Sequence, residues 1–162
     1  MPDLPLAPRS LYYAGSEQPS TSGQTFQTIN PATSLSVATI HTSSTQDIDS
    51  AVRSAQEAFP SWSATPPTTR ARILLRAATI LRGRNDEIAR EETFDTGKPF
   101  SETSTVDVIT GADVLEYFAH MVAGSGLNGE TAQLREDAWV YTKKEPLGVC
   151  VGIGAWNYPI QM

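Results

Sequence analysis

Little in this 162-residue sequence could cross-link the chain, span a bilayer or grip a polyanion. Cys150 is its one cysteine, which excludes an internal disulfide framework and fits a reducing compartment. No run approaches the ~20 apolar residues that a membrane span requires. The opening Met-Pro-Asp-Leu-Pro-Leu also lacks the apolar centre of a secretory signal. Eighteen acidic residues against twelve basic ones leave a net charge of −6, with no long run of either sign to hold a phosphate backbone. Arg70, Arg72, Arg76, Arg82 and Arg84 are the nearest thing to a basic patch, and they read as a solvated helix face paired with nearby acids. These absences predict a soluble, cytoplasmic protein with neither a nucleic acid nor a membrane as partner.

What is present is a composition of 40% hydrophobic and 19% charged residues, that of an ordinary globular domain. Residues 1–10 carry three prolines and no periodicity and read as a mobile lead-in. Leu11–Ala14, Thr25–Ile29 and Leu35–His41 read as strands of a small antiparallel unit, separated by Gly, Ser, Asn and Pro. From Thr45, a good N-cap, Ile48, Ala51, Val52, Ala55, Ala58 and Phe59 share one helical face. Pro60 and Pro66-Pro67 bracket a corner. A second helix over Thr69–Leu81 carries the stripe Ile73, Leu74, Ala77, Ile80 and Leu81. Asn85 can cap a third helix that ends near Thr96, where Gly97 supplies the left-handed residue and Pro99 bars continuation. A fourth, from about Ser101 to Ala123, is marked by Val108, Ala112, Leu115, Phe118, Ala119 and Val122. Residues 131–146 turn extended and read as an outlying ribbon suited to an oligomer contact.

The segment Glu145-Pro-Leu-Gly-Val-Cys-Val-Gly-Ile-Gly-Ala-Trp-Asn-Tyr-Pro159 carries the chemistry. Gly148–Ile153 reads as a strand covered on both faces that breaks into a loop at Gly154, and ligands of open α/β sheets bind where such strands end. The dinucleotide fingerprint fails here, because Asn157 stands where its third glycine belongs. Asn157 can donate its amide to a developing oxyanion, or it can cap its own turn before Tyr158-Pro159. Trp156 can wall a cofactor or fill core. Cys150, placed within an apolar strand, reads as a buried and inert thiol.

The run from Pro146-Leu-Gly-Val149 to Trp156-Asn-Tyr-Pro159 closely resembles the first Rossmann strand and cofactor loop of aldehyde dehydrogenases. Thr28-Ile-Asn-Pro-Ala-Thr33, the helix Asp49–Phe59 followed by Trp62, and Asp95-Thr-Gly-Lys-Pro99 agree in the same order. The resemblance implies an α/β fold, the N-terminal part of the aldehyde dehydrogenase fold: small antiparallel strands, helices, an oligomerisation hairpin and the first Rossmann strand. Residues 11–146 would then be the N-terminal part of the cofactor-binding domain, with oligomerisation strands at about 131–146. Residues 147–162 would be a truncated first strand and cofactor loop. It further implies NAD or NADP against Ile153, Gly154, Ala155 and Trp156, oxyanion stabilisation by Asn157, and a monovalent cation such as K+ near Thr28, Ile29 and Asp95. Hard oxygen donors suit such an ion, although Asp95 could equally end a helix.

Tyr158, with Gly154-Ala155 before the tryptophan, resembles the branch that acts on betaine aldehyde and related aminoaldehydes, where a ring face can attract a quaternary ammonium. The implied partners are a small-molecule aldehyde and, at full length, further copies of the chain. The family's chemistry runs through a cysteine thiohemiacetal and a glutamate-activated water, and neither residue is identified in this sequence. The chain therefore reads as an N-terminal fragment, inactive in isolation. The alternative is a non-catalytic module that serves only oligomerisation.

Overall fold

The computed structural model describes residues 6–161. Three two-stranded antiparallel units and a group of helices make up the α/β fold. Strand β1 (Leu11–Tyr13) pairs with β2 (Ser16–Gln18), a strand that alternation alone did not mark. The turn between them places Ala14 and Gly15 at positive φ. Strand β3 (Thr25–Ile29) pairs with β4 (Ser36–His41), and the register shifts between Thr28 and Ile29. Val37 and Ala38 bury one part of this pair. Residues 6–10 are not a free lead-in, because Leu6 and Arg9 N–H groups donate to the carbonyls of Val37 and Thr39, and Arg9 accepts from His41 N–H. The expected mobility of residues 1–5 lies outside the described residues.

Helix α1 (Thr45–Ala64) is capped one residue earlier than predicted: Ser44, not Thr45, is the N-cap, and Asp47 completes a capping box. The Asp47 carboxylate accepts from Ser44 N–H at 2.8 Å, Thr21 N–H at 3.1 Å and Ser20 Oγ at 3.1 Å, tying the helix start to the preceding loop. These bonds, led by the one from Ser44, hold its pKa well below the ordinary 3.8. Because the folded value is depressed, the stabilisation is present above about pH 4 and is lost as pH falls. Ser44→Ala is expected to cost ~1 kcal/mol, roughly 2–4 °C in Tm for a chain of this size. Asp47→Ala should cost more, because three donors lose their acceptor at once. Thermal melts of the two variants at neutral pH and at pH 3 check the order, and the gap between wild type and Asp47→Ala should narrow in acid.

Pro60 does not end α1 as expected but lies inside it. It sits on the exposed side, where water can bond the carbonyl that proline leaves without a donor. The predicted apolar face of α1 stays largely uncovered, since Ile48, Ala55 and Ala58 are exposed and the helix packs extensively on no other helix. Helix α2 (Pro67–Gly83) starts on a proline at its first turn, a position that needs no N–H donor. Its principal contact is with α5 (Val108–Ala123). The buried residues of α2 are Ala71 and Ala78, with Leu74 and Leu81 partly covered between them. Ile73 and Ile80, placed on the inner stripe from sequence, are about half exposed. Ala112 and Ala119 of α5 face this contact, and small residues on both helices permit close approach. Arg82 bonds Asp113 at 2.6 Å and Glu116 at 2.5 Å, and Arg84 bonds Glu87, so part of the arginine face is paired with acids as expected.

Helix α3 (Asn85–Thr96) is preceded by Arg84 rather than capped by Asn85, whose Nδ2 instead donates to Ser104 carbonyl at 3.0 Å. Gly97 ends it at φ 75°, as predicted, and a Cβ there would lie 2.7 Å from Pro31 Cγ, so both conformation and space favour glycine. The predicted fourth helix is broken into a short turn α4 (Phe100–Glu102), a π-helical turn over Thr103–Asp107, and α5. The π turn buries Thr103 and Asp107 completely.

The ribbon is a real hairpin, β5 (Thr131–Arg135) with β6 (Ala138–Tyr141), and Leu134, Trp139, Val140 and Tyr141 on it are exposed. Gly148–Ile153, by contrast, forms no strand. A strand exists only against a hydrogen-bonding neighbour, and none among the described residues lies beside it, so Val151 and Ile153 face solvent. Cys150 is exposed for the same reason, which corrects its reading as a buried thiol. No helix among the described residues is long and apolar enough to cross a membrane.

Candidate functional site

The predicted cofactor residues lie together on one open loop. Ile153 is 95% and Trp156 92% exposed, and Gly154, Ala155 and Asn157 are exposed beside them. Nothing lies within 4 Å of a Cβ built on Gly152, so a ligand could approach that backbone closely. Trp156 offers a flat apolar wall and fills no core among the described residues. The donor set therefore fits one side of a dinucleotide, and no opposing wall faces it among the described residues.

After Asn157 the chain turns back into the protein. Tyr158 is half-buried, Gln161 N–H closes a turn onto Tyr158 carbonyl at 3.1 Å, and Lys98 Nζ lies 3.4 Å from the centre of the Tyr158 ring. The ring attraction assigned from sequence to a substrate ammonium is thus used, on that face, by a lysine of the chain itself.

Thr28 and Asp95, 67 residues apart, are brought together: Thr28 Oγ1 donates to Asp95 Oδ1 at 2.5 Å. The β3–β4 ladder is irregular where Thr28 passes to Ile29, and an irregular ladder leaves backbone groups available for other bonds. Thr28 and Asp95 line a cavity of about 280 Å³ with Arg9, Glu91, Glu92 and Pro159. No group of three or more His, Cys, Asp or Glu side chains in metal-binding array occurs among the described residues. Hydroxyl, carboxylate and backbone oxygens suit an alkali cation better than a transition metal.

Sequence reasoning missed the charged cluster beneath this loop. Lys98 bonds Asp107 Oδ2 at 2.7 Å and stands 3.6 Å from Glu102. Burial, the largest single influence, lowers its pKa, but Asp107 together with Tyr158 and Glu102 more than offsets it, and the pKa is raised. Glu92 is only 5% exposed, and its carboxylate oxygens make no well-formed hydrogen bond among the described residues, although Asp107 and the Ile160 backbone stand near them. Burial, and then the neighbouring Asp107 charge, push its pKa up from 4.5 to about 7. The available signal was an acid at Asp107 four residues before Gly111, on a stripe otherwise suited to the interior.

Because the folded pKa of Glu92 is raised, the folded state keeps a proton that the unfolded chain releases between about pH 4.5 and 7. Stability is expected to fall as pH rises through that window. Glu92→Gln should remove this component, so its Tm should gain on wild type from pH 5 to pH 8.5. Parallel melts with an unchanged difference across that range would refute it.

The family model for aldehyde dehydrogenases matches residues 18–162. The chain belongs to the aldehyde dehydrogenase family. Similar solved structures agree with that membership. The indole-3-acetaldehyde dehydrogenase AldA of P. syringae, in complex with NAD+ and IAA, is 33% identical, with a TM-score of 0.86 over 93% of this chain and 30% of that one. The aldehyde dehydrogenase KauB from Pseudomonas aeruginosa is 29% identical, with a TM-score of 0.88 over 95% of this chain and 31% of that enzyme. PnpE from Pseudomonas sp. WBC-3 gives 29% identity and a TM-score of 0.88 over 94% and 31%. This aldehyde dehydrogenase chain thus spans about a third of the length of the solved structures it matches. The α/β fold expected from the sequence, the N-terminal part of that family's fold, is the one observed.

Proposed function

We propose that the protein containing this chain oxidises an aldehyde to the carboxylic acid with NAD or NADP, and that residues 153–157 form part of its cofactor and oxyanion site. The observation that carries the reading is the open loop that presents Trp156 and Asn157 side by side to solvent within the family-matched segment. Ile153, Gly154, Ala155 and Trp156 would hold the dinucleotide, which when bound would supply the hydride acceptor. Asn157 donates its amide to the oxyanion of the thiohemiacetal. The nucleophilic cysteine and the glutamate base are assigned to protein outside this chain. Thr28, Ile29 and Asp95 hold a monovalent cation such as K+, supported by the Thr28–Asp95 contact. Betaine aldehyde or a related aminoaldehyde is the proposed substrate, resting on the one face of Tyr158 not taken by Lys98. Residues 11–146 are proposed as the N-terminal part of the cofactor-binding domain and 147–162 as the segment that becomes its first strand and loop once a neighbouring strand pairs with it. A cytoplasmic location accompanies this reading.

The test is NADH or NADPH formation by the protein expressed from the complete reading frame, with betaine aldehyde, aminoaldehydes and simple aliphatic aldehydes. Turnover only of aldehydes without an amine keeps the reaction and rejects the substrate, whereas no turnover of any aldehyde with either cofactor rejects both.

A second reading, oligomerisation alone, is favoured by the β5–β6 hairpin, whose Leu134, Trp139 and Tyr141 stand exposed. Light scattering separates the two: an oligomer dispersed by Leu134→Glu, from a protein without turnover, supports the module.

A further inference from the structure

Asn157 is exposed, and none of its side-chain atoms hydrogen-bonds another group among the described residues. What fixes the position of its side chain is therefore the backbone on which it stands. That backbone is held at two independent points. Lys98 Nζ sits 3.4 Å from the Tyr158 ring centre while bonded to the fully buried Asp107. At Gly111 of α5 the Ile160 carbonyl packs so closely that a Cβ would lie 2.8 Å from its oxygen. Asp107 and Gly111 are four residues apart, and the π turn brings the first of them to the interior directly before α5.

We propose that Lys98 and Gly111 are positioning residues for Asn157: together they clamp the Tyr158–Ile160 turn so that the Asn157 backbone, and with it the base of its amide side chain, is held in one place. The clamp rests on the reading of Asn157 as the oxyanion donor, but it is a statement about order in the loop and can be measured without turnover. Lys98 supplies a point charge on a flexible stem, and Asp107 fixes where that charge sits. The Tyr158 ring face binds it by its quadrupole, which needs the ring and not the hydroxyl. Gly111 supplies the gap that the Ile160 carbonyl fills. Lys98, Asp107 and Gly111 touch no substrate in this proposal.

The experiment is nuclear magnetic resonance on the whole 162-residue chain, with backbone order parameters at Asn157 and the shifts of the Lys98 methylene protons next to Nζ. In the wild type those protons should lie upfield of their counterparts in Lys143 and Lys144, because the ring shields them, and Asn157 should show an order parameter of about 0.85. Tyr158→Phe keeps the ring and should retain both signatures. Tyr158→Leu should abolish the upfield shift and drop the Asn157 order parameter below about 0.6. Gly111→Ala, which pushes the turn from its other side, should loosen Asn157 while leaving the Lys98–Asp107 pair in place. Circular dichroism confirms that each variant is folded. An Asn157 order parameter unchanged in both Tyr158→Leu and Gly111→Ala overturns the proposal, as does one that is already low in the wild type. If Asn157 loosens as expected but the full-length protein oxidises no aldehyde, the clamp stands and the functional reading falls.

Discussion

Asp107→Ala is expected to lower the stability of the chain by about 3 kcal/mol, because it leaves the Lys98 ammonium without its partner in a largely closed site. The Lys98 side chain is 16% exposed and Asp107 is fully buried, so water cannot readily replace the lost carboxylate. Two neighbours limit the damage. Glu102 lies 3.6 Å from Nζ, and Glu92, freed from the repulsion of Asp107, ionises more readily and faces the same lysine. For a chain of this size the loss corresponds to roughly 10 °C in Tm. Two further results should accompany it in the same melts. The pH dependence assigned to Glu92 should weaken, since its second-largest cause is gone. The double variant Asp107→Ala with Lys98→Met should be more stable than Asp107→Ala alone, because the stranded charge goes with its partner. A double variant no better than the single one would mean that the pair is not the source of the loss.

Asn157→Ala is expected to act oppositely, on rate and not on stability. On the proposed function, removing one preorganised oxyanion donor costs kcat about 100- to 1,000-fold. On the same proposal the KM for the dinucleotide should change little, because that contact is assigned to Trp156 and the glycine-rich backbone. Tm should also be unchanged, since Asn157 is exposed and its side chain bonds no other group among the described residues. Steady-state kinetics of the complete protein decide the matter. A kcat within a few-fold of wild type would remove Asn157 from the oxyanion site, and a fall in Tm would assign it to structure.

Local signals in the sequence were read well where the physics is local. Gly97 ends α3 because its left-handed φ is a property of one residue, and the hairpin of residues 131–141 follows from the extended style of its own neighbours. Even the misplaced caps erred by one residue, Ser44 for Thr45 and Arg84 for Asn85. Faces were read less well. The stripe on α2 is rotated so that Ala71 and Ala78, not Ile73 and Ile80, meet α5, because the partner's shape selects the small residues that allow approach. The apolar face of α1 stays open, since periodicity states that a face could be buried and not that anything covers it.

Family membership, the presence of the helices though not all their limits, and the loop that carries Trp156 and Asn157 were determined by the sequence alone, because motif order and helical period survive without knowledge of neighbours. Tertiary structure decided three other matters. Gly148–Ile153 forms no strand, because a ladder requires a second chain segment that no single run of residues can supply. The Tyr158 ring takes Lys98 on one face, because residues 60 apart are joined only by folding. Glu92, Lys98 and Asp107 became one electrostatic unit through the π turn, which adds a residue to its turn and so rotates Asp107 inward, where burial and proximity govern their charges.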